Sequence, residues 1–357
     1  MRKNVAVLLG LMVTVFLLPA LTYAVSADQC DFNDDNNVDW KDLSVITQNW
    51  LLDCSTHDCN GADLDSSGSV NLVDFTLFAE YWSPDANLAC LLMACHCLAD
   101  RGQEKLYLWQ SNDGIDWKLL NGGPSYTAPE YVIRDPSIFK HTDGKYYICY
   151  TNNNTSPQNF TGTRFGVASS PDLVAWTHVC WVDFGSVSYV WAPEWFVDSD
   201  GSVHAFVAVN YQIKEVHPTD STFTAWSSPV TVTGTNFPQK MIDPFIIYRD
   251  GTYYLWYVND HGVAGADSTI EYASSSSLTS GHTVIKSGDW AGWGHPREGE
   301  SLVHLGGSNW RIYLQTQLGA MYWSESCDNW HTWTALVLCT DDQSELTIGH
   351  GTVIHSQ

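Results

Sequence analysis

Basic residues are scarce. Only 16 Lys and Arg stand against 40 Asp and Glu, a formal net charge of −24 at pH 7 over 357 residues. Such a chain is poorly suited to neutralise a phosphate backbone or an anionic bilayer surface, which excludes nucleic acid and anionic membranes as partners. The charge suits Ca²⁺ and neutral ligands. Long apolar runs are missing after the first two dozen residues, so no later segment is fit to cross a bilayer. Beyond residue 100 no long 3.6-residue periodicity appears, and Gly, Asn, Asp and Ser punctuate the chain every 8–12 residues. That region reads as strands.

Residues 1–24 do carry an apolar run. Arg2 and Lys3 precede Val5–Leu18, and Thr22-Tyr23-Ala24 offers a small residue at a cleavage point. This is the pattern of a secretory signal peptide, with an uncleaved anchor as the alternative. The expectation is a secreted or cell-surface protein with no membrane association after cleavage. All ten cysteines lie beyond this segment, an even number that suits an oxidising compartment. Cys327 and Cys339 are placed to pair within one hairpin. Cys54, Cys59, Cys90, Cys95 and Cys97 gather around one boundary, where disulfides are the default and a zinc site is the alternative. Aromatics make up 13% of residues, including 17 Trp. Most serve packing, and some are available to stack on sugar faces.

Residues 28–85 hold an internal duplication. Asp31, Asn33, Asp35, Asn37, Asp39 and Asp42 fall at positions 1, 3, 5, 7, 9 and 12 of a loop. Asp63, Asp65, Ser67, Ser69, Asn71 and Asp74 repeat the pattern 32 residues later, with Gly68 at position 6. Oxygen ligands at these spacings wrap one hard cation, Ca²⁺, with position 7 contributing its backbone carbonyl. The same offset maps Val38 onto Val70, Leu43 onto Phe75 and Trp50 onto Trp82. Short amphipathic helices are expected over Leu43–Trp50 and Phe75–Trp82. The segment resembles a type I dockerin, two loop–helix calcium repeats without the entering helix of an ordinary EF-hand. The resemblance implies docking to a cohesin-type module or scaffold. Serine at positions 5 and 7 of the second loop departs from the usual Asp or Asn and implies a weaker site there.

Residues 86–104 read as a connector. From 105 to 357 one pattern recurs. Arg134-Asp135-Pro136 leads through a strand to a turn at Gly144 and a second strand rich in aromatics. Trp191-Ala-Pro-Glu194, Ile242-Asp243-Pro244 and Glu298-Gly-Glu300 lead likewise to turns at Gly201, Gly251 and Gly307, steps of 57, 50 and 56 residues. A second marker, a Ser-rich turn ending in Trp117, Trp176 or Trp330, precedes an outer strand. Repeats of this length with several strands each predict an all-β, five-bladed β-propeller after a small α-helical calcium-binding domain. A pair of β-sandwiches is the alternative. If the first strand of each repeat lines the axis, Asp135, Glu194, Asp243 and Glu298 converge at one mouth with His350.

The same motifs, in order, resemble glycoside hydrolase family 43. The resemblance spans about 105–357 and implies inverting hydrolysis of arabinofuranosides, xylosides or galactans in polysaccharide or oligosaccharide substrates. It implies Asp135 as general base, Asp243 as the carboxylate that raises the pKa of the acid and orients it, and Glu298 as general acid. Arg134, Trp191, Glu194, Glu300 and His350 are the expected substrate-binding residues. His350 matches a histidine that in some members holds a metal or water cluster. Glu300 stands where the family often has proline and is a rival acid. An Asn-Asp-Pro-Asn-Gly-like nucleophile motif is missing, which favours inversion and predicts Asp135 and Glu298 roughly 6.5–9.5 Å apart. The alternative from another class is a non-catalytic propeller that binds glycans.

Overall fold

The computed structural model describes residues 25–33, 38, 40–81, 91–97, 102–262, 265–316, 319–341 and 348–356. The signal-peptide segment and loop residues Asp35, Asn37 and Asp39 lie outside them, as does Trp82. The chain divides into two compact units, Met1–Ala86 and Asn87–Gln357. Among the described residues no helix is long and apolar enough to cross a membrane.

The first unit packs helices Trp40–Gln48 and Leu72–Tyr81 around Ile46, Val70 and Phe78, all fully buried. Both helices begin three residues earlier than the apolar pattern suggests. The reason is the last acidic residue of each loop: Asp42 and Asp74 sit in the first helical turn, where the helix dipole favours negative charge. Cys54 and Cys59 form a disulfide. Cys327, expected to pair with Cys339, carries no disulfide.

The second unit is a five-bladed propeller. Four blades run outward from inner strands Arg134–Lys140, Val190–Val197, Met241–Arg249 and Glu298–Gly306, in sequence order except that the outermost strand of the third, Gly234–Thr235, precedes its inner strand and pairs parallel. The fifth joins both ends of the unit: Ile348–His355 is innermost, followed by Leu91–Cys97, Leu106–Ser111 and Asp116–Leu119. The inner strands touch in cyclic order, and Ile348–His355 touches both Glu298–Gly306 and Arg134–Lys140. The expected connector is therefore corrected. Leu91–Cys97 is a fully buried strand that pairs with the C-terminal strand from Leu91↔His355 to Cys97↔Ile348. Six of its seven residues, all but His96, are apolar or small and match a strand covered on both faces, which periodicity does not distinguish from a linker.

The Asp-Gly turns close the inner hairpins as the sequence suggests. Gly144 and Gly201 hold φ +85°, and Asp143 and Asp200 each accept the backbone N–H two residues on. In the outer turns a Ser-x-Asp pair does the work: Ser111 with Asp113, Ser170 with Asp172, Ser326 with Asp328.

Candidate active site

Each of the four sequential inner strands breaks register at the same point. The irregularities fall between Arg134 and Ser137, Trp191 and Glu194, Ile242 and Phe245, and Glu298 and Ser301. The second residue of each bulge is left-handed: Asp135 (φ +46°), Ala192 (+45°), Asp243 (+50°) and Gly299 (+66°). A proline follows in the first three, and it removes a donor that the bulge leaves unpaired. Non-glycine residues held at positive φ cost free energy and cluster at functional sites.

Asp135 and Asp243 therefore occupy equivalent positions, and His350 from the fifth blade stands between them. Its Nδ1 is 3.6 Å from Asp135 Oδ1 and 3.6 Å from Asp243 Oδ2. Those two oxygens are no further apart than twice that distance. Asp243 Oδ2 also accepts the Gly299 N–H at 3.0 Å, which ties it to the strand that starts at Glu298. His96 lies behind Asp135. Its Nδ1 accepts the Asp135 N–H at 3.2 Å and lies 3.2 Å from the His350 carbonyl.

The two aspartates are held in opposite states. Burial alone would raise Asp135, but Arg134, His350 and His96 outweigh it and hold its carboxyl below the usual range. Asp243 is raised by burial and by the negative charge of Asp135, against the Gly299 N–H. Burial lowers both histidines, His96 to about 3, against the pull of the Asp135 charge.

The glutamates are not equivalent to the aspartates, which corrects the picture of four carboxylates starting four strands. Glu298 is the first residue of its bulge, one before the left-handed Gly299, and is half-buried, with electrostatic influence on both His350 and Glu300. Glu194 closes its bulge, two residues past the left-handed Ala192, and is buried, accepting from Thr352 Oγ1 at 2.8 Å; burial pushes it up to about 8. Glu300 is buried among Asp243, Glu194 and Glu298, and neither oxygen has a hydrogen-bond partner. Burial, then Asp243, raises it well above the usual range.

Around this centre Arg134 stacks 4.3 Å over the Phe160 ring and lies 3.8 Å from Glu104. The Trp191 indole N–H donates to the Phe160 carbonyl at 2.6 Å, and its ring contacts Tyr189 and Tyr211 at 4.5 and 5.8 Å between centroids. His96, Glu104, Phe160, Tyr189 and Tyr211 carry no motif and were not singled out by sequence. For His96 and Glu104 the signal was hidden by reading 86–104 as a connector.

In the first unit the carboxylates of Asp63, Asp65 and Asp74 each place an oxygen within 4.8 Å of the others. Asp74 is fully buried, as is Asp42 at the matching position. Crowded, partly buried carboxylates at these spacings fit a hard cation.

The glycosyl hydrolase family 43-related model, described as "Probable glycosyl hydrolase domain", matches residues 91–355, and the type I dockerin domain matches residues 29–81. The chain belongs to this family 43-related group of glycoside hydrolases and carries a type I dockerin domain at its N-terminal side. No curated protein matches the sequence. Similar solved structures include an α-L-arabinofuranosidase from Clostridium thermocellum at 17% identity and TM-score 0.49, covering 66% of this chain and 83% of that one. An endo-1,4-β-xylanase from Bacteroides thetaiotaomicron is also similar, at 17% identity and TM-score 0.49, covering 71% of this chain and 88% of that one.

Proposed function

We propose that this glycoside hydrolase cleaves O-glycosidic bonds of polysaccharide or oligosaccharide side chains with inversion at the anomeric carbon. The carrying observation is the meeting of Asp135, Asp243 and the Glu298-Gly299 peptide around His350 Nδ1. Asp135, held ionised, is the base: it takes a proton from water as the water oxygen attacks the anomeric carbon. Glu298, half-buried and able to meet substrate, gives its proton to the leaving glycosidic oxygen as the C–O bond breaks. Solvent then returns the proton to Glu298 and accepts the one on Asp135.

Asp243 orients the acid by holding the Gly299 N–H. Glu300 is the weaker candidate for the acid, because it is buried beneath Glu298 and Asp243. Arg134 and Trp191, with Tyr189 and Tyr211, line the sugar side, where flat rings suit C–H-rich faces. Glu194 and His350 shape the floor. Substrates of the arabinofuranoside, xyloside or galactan class fit the family resemblance.

Asp31, Asn33, Asp35, Asn37, Asp39 and Asp42 would hold one Ca²⁺, and Asp63, Asp65, Ser67, Ser69, Asn71 and Asp74 a second. Ca²⁺ would relieve carboxylate repulsion and order the loop–helix repeats for a cohesin-type scaffold partner. Secretion, directed by residues 1–24, agrees with the Cys54–Cys59 disulfide and the calcium loops. The test is release of p-nitrophenol from arabinofuranoside, xyloside and galactoside substrates, with anomer detection by NMR. Turnover with an inverted product, lost in Glu298→Gln, supports the reading. Glycan binding with no turnover on any substrate makes the propeller a binding module.

A further inference from the structure

Blade two carries a cluster that the hydrolytic centre does not use. His204 lies on strand Val203–Val209, Glu215 on strand Gln212–Val216, and His217 follows at once. The antiparallel register pairs Glu215 with Phe206 and Val216 with Ala205. One further step sets His217 opposite His204. Alternation then puts His204, Glu215 and His217 on one face of the sheet.

The three side chains converge on one point. His204 Nδ1 is 2.7 Å and His217 Nδ1 is 2.9 Å from the same oxygen, Glu215 Oε1. The imidazole centroids are 5.6 Å apart. Glu215 is almost fully buried, with 5% of its side chain exposed, whereas 44% of the His217 side chain is exposed. His204 Nε2 lies 2.9 Å from Ser202 Oγ. Three lone-pair atoms this close must share either protons or a cation.

We propose that His204, Glu215 and His217 form a binding site for a divalent transition-metal ion of the zinc class. Two imidazole nitrogens and one carboxylate oxygen are a ligand set for such ions, whereas Ca²⁺ and Mg²⁺ select oxygen. Ligands about 2.0–2.1 Å from one tetrahedrally coordinated ion stand about 3.3–3.4 Å apart, so each imidazole nitrogen would move by roughly half an ångström from its present hydrogen bond to Glu215 Oε1 to admit the ion. With the ion bound, Ser202 Oγ, 2.9 Å away, would accept the proton on His204 Nε2 and leave the Nδ1 lone pair free to ligate. The exposed side of His217 leaves a coordination position open to water. The ion would clamp the second and third strands of blade two to the loop after Val216, which is already held through His217 N–H to Ser227 Oγ at 3.0 Å.

The full, untagged chain, kept in excess Ca²⁺ to fill the acidic loops, is titrated with Zn²⁺ by calorimetry and with Co²⁺ by absorption spectroscopy. His217→Ala, a truncation at a half-exposed position, and Glu215→Gln, which keeps shape and acceptor, are titrated alongside. The expected result is one Zn²⁺ bound by the native chain and at least tenfold weaker binding in both variants. The Co²⁺ spectrum is expected to show d–d bands without thiolate charge transfer. Zn²⁺ affinity unchanged in His217→Ala, no Zn²⁺ binding by the native chain, or a thiolate band from a cysteine site would each overturn the proposal.

Discussion

Asp135 and Asp243 sit at equivalent bulges yet have different neighbours. Both have His350 Nδ1 at 3.6 Å, but Asp135 also has Arg134 and His96 beside it, whereas Asp243 has the negative charge of Asp135 and one peptide N–H. The pair therefore keeps its negative charge on Asp135. Glu298→Gln is expected to lower kcat by about 10²–10⁴-fold with little change in KM, whereas Glu300→Gln keeps most activity. Steady-state kinetics on both variants checks this, and loss of activity in Glu300→Gln alone would exchange their roles. Glu194 makes a stability prediction. Its folded pKa is raised from 4.5 to about 8 by burial. Between those values the unfolded chain ionises while the folded one keeps its proton. The contribution is full below the ordinary value and is lost as pH rises towards 8, at up to about 1.4 kcal/mol per pH unit. Glu194→Gln should flatten the fall in Tm between pH 5.5 and 8, measured by calorimetry.

At the scale of the element, the inner-strand bulge determines which residues reach the axis. Gly299 shows why its position tolerates no side chain: φ is +66°, and a Cβ would lie 2.8 Å from the His350 ring. Gly299→Ala is expected to cost about 1–3 kcal/mol from backbone strain and to displace His350, so Tm and kcat fall together. An unchanged kcat in this variant would remove His350 from the working site. The closing blade gives a second case. A Cβ at Gly351 would strike the Ala94 carbonyl, backbone against backbone. Gly351→Ala should separate Ile348–His355 from Leu91–Cys97 and lower the propeller Tm by several degrees, followed by thermal denaturation.

The whole molecule comprises two units, each with its own buried cluster, one around Phe78 and four in the propeller. Independent cores imply independent melting. Calorimetry of the full chain is expected to show two transitions, with EGTA lowering only the one that belongs to residues 25–81. Asp74→Ala should do the same while leaving hydrolysis intact, because Asp74 is buried in the second acidic loop, beside Asp63 and Asp65. Loss of hydrolytic activity on calcium removal would show that the units are coupled. Export directed by residues 1–24 is expected to release a protein whose N-terminus lies just after Ala24, checked by N-terminal sequencing.

Local signals are enough to read the duplicated acidic loops, the Asp-Gly hairpins and the recurring Asp-Pro step, because each depends on residues a few positions apart: turn chemistry, loop spacing and strand alternation are short-range. Grouping Asp135, Glu194, Asp243 and Glu298 with His350 takes more than local signals: it rests on the repeat of 50–57 residues and the family resemblance. They did not reveal that Leu91–Cys97 closes the ring, since a strand buried on both faces has no alternation to betray it. Nor did they reveal the bulge that makes Asp135 equivalent to Asp243 but sets Glu194 and Glu298 at other depths. Ring closure decided that, by bringing His96 from the first strand of the unit and His350 from the last to either side of one carboxylate. A contact between residues 254 apart has no short-range trace in the chain.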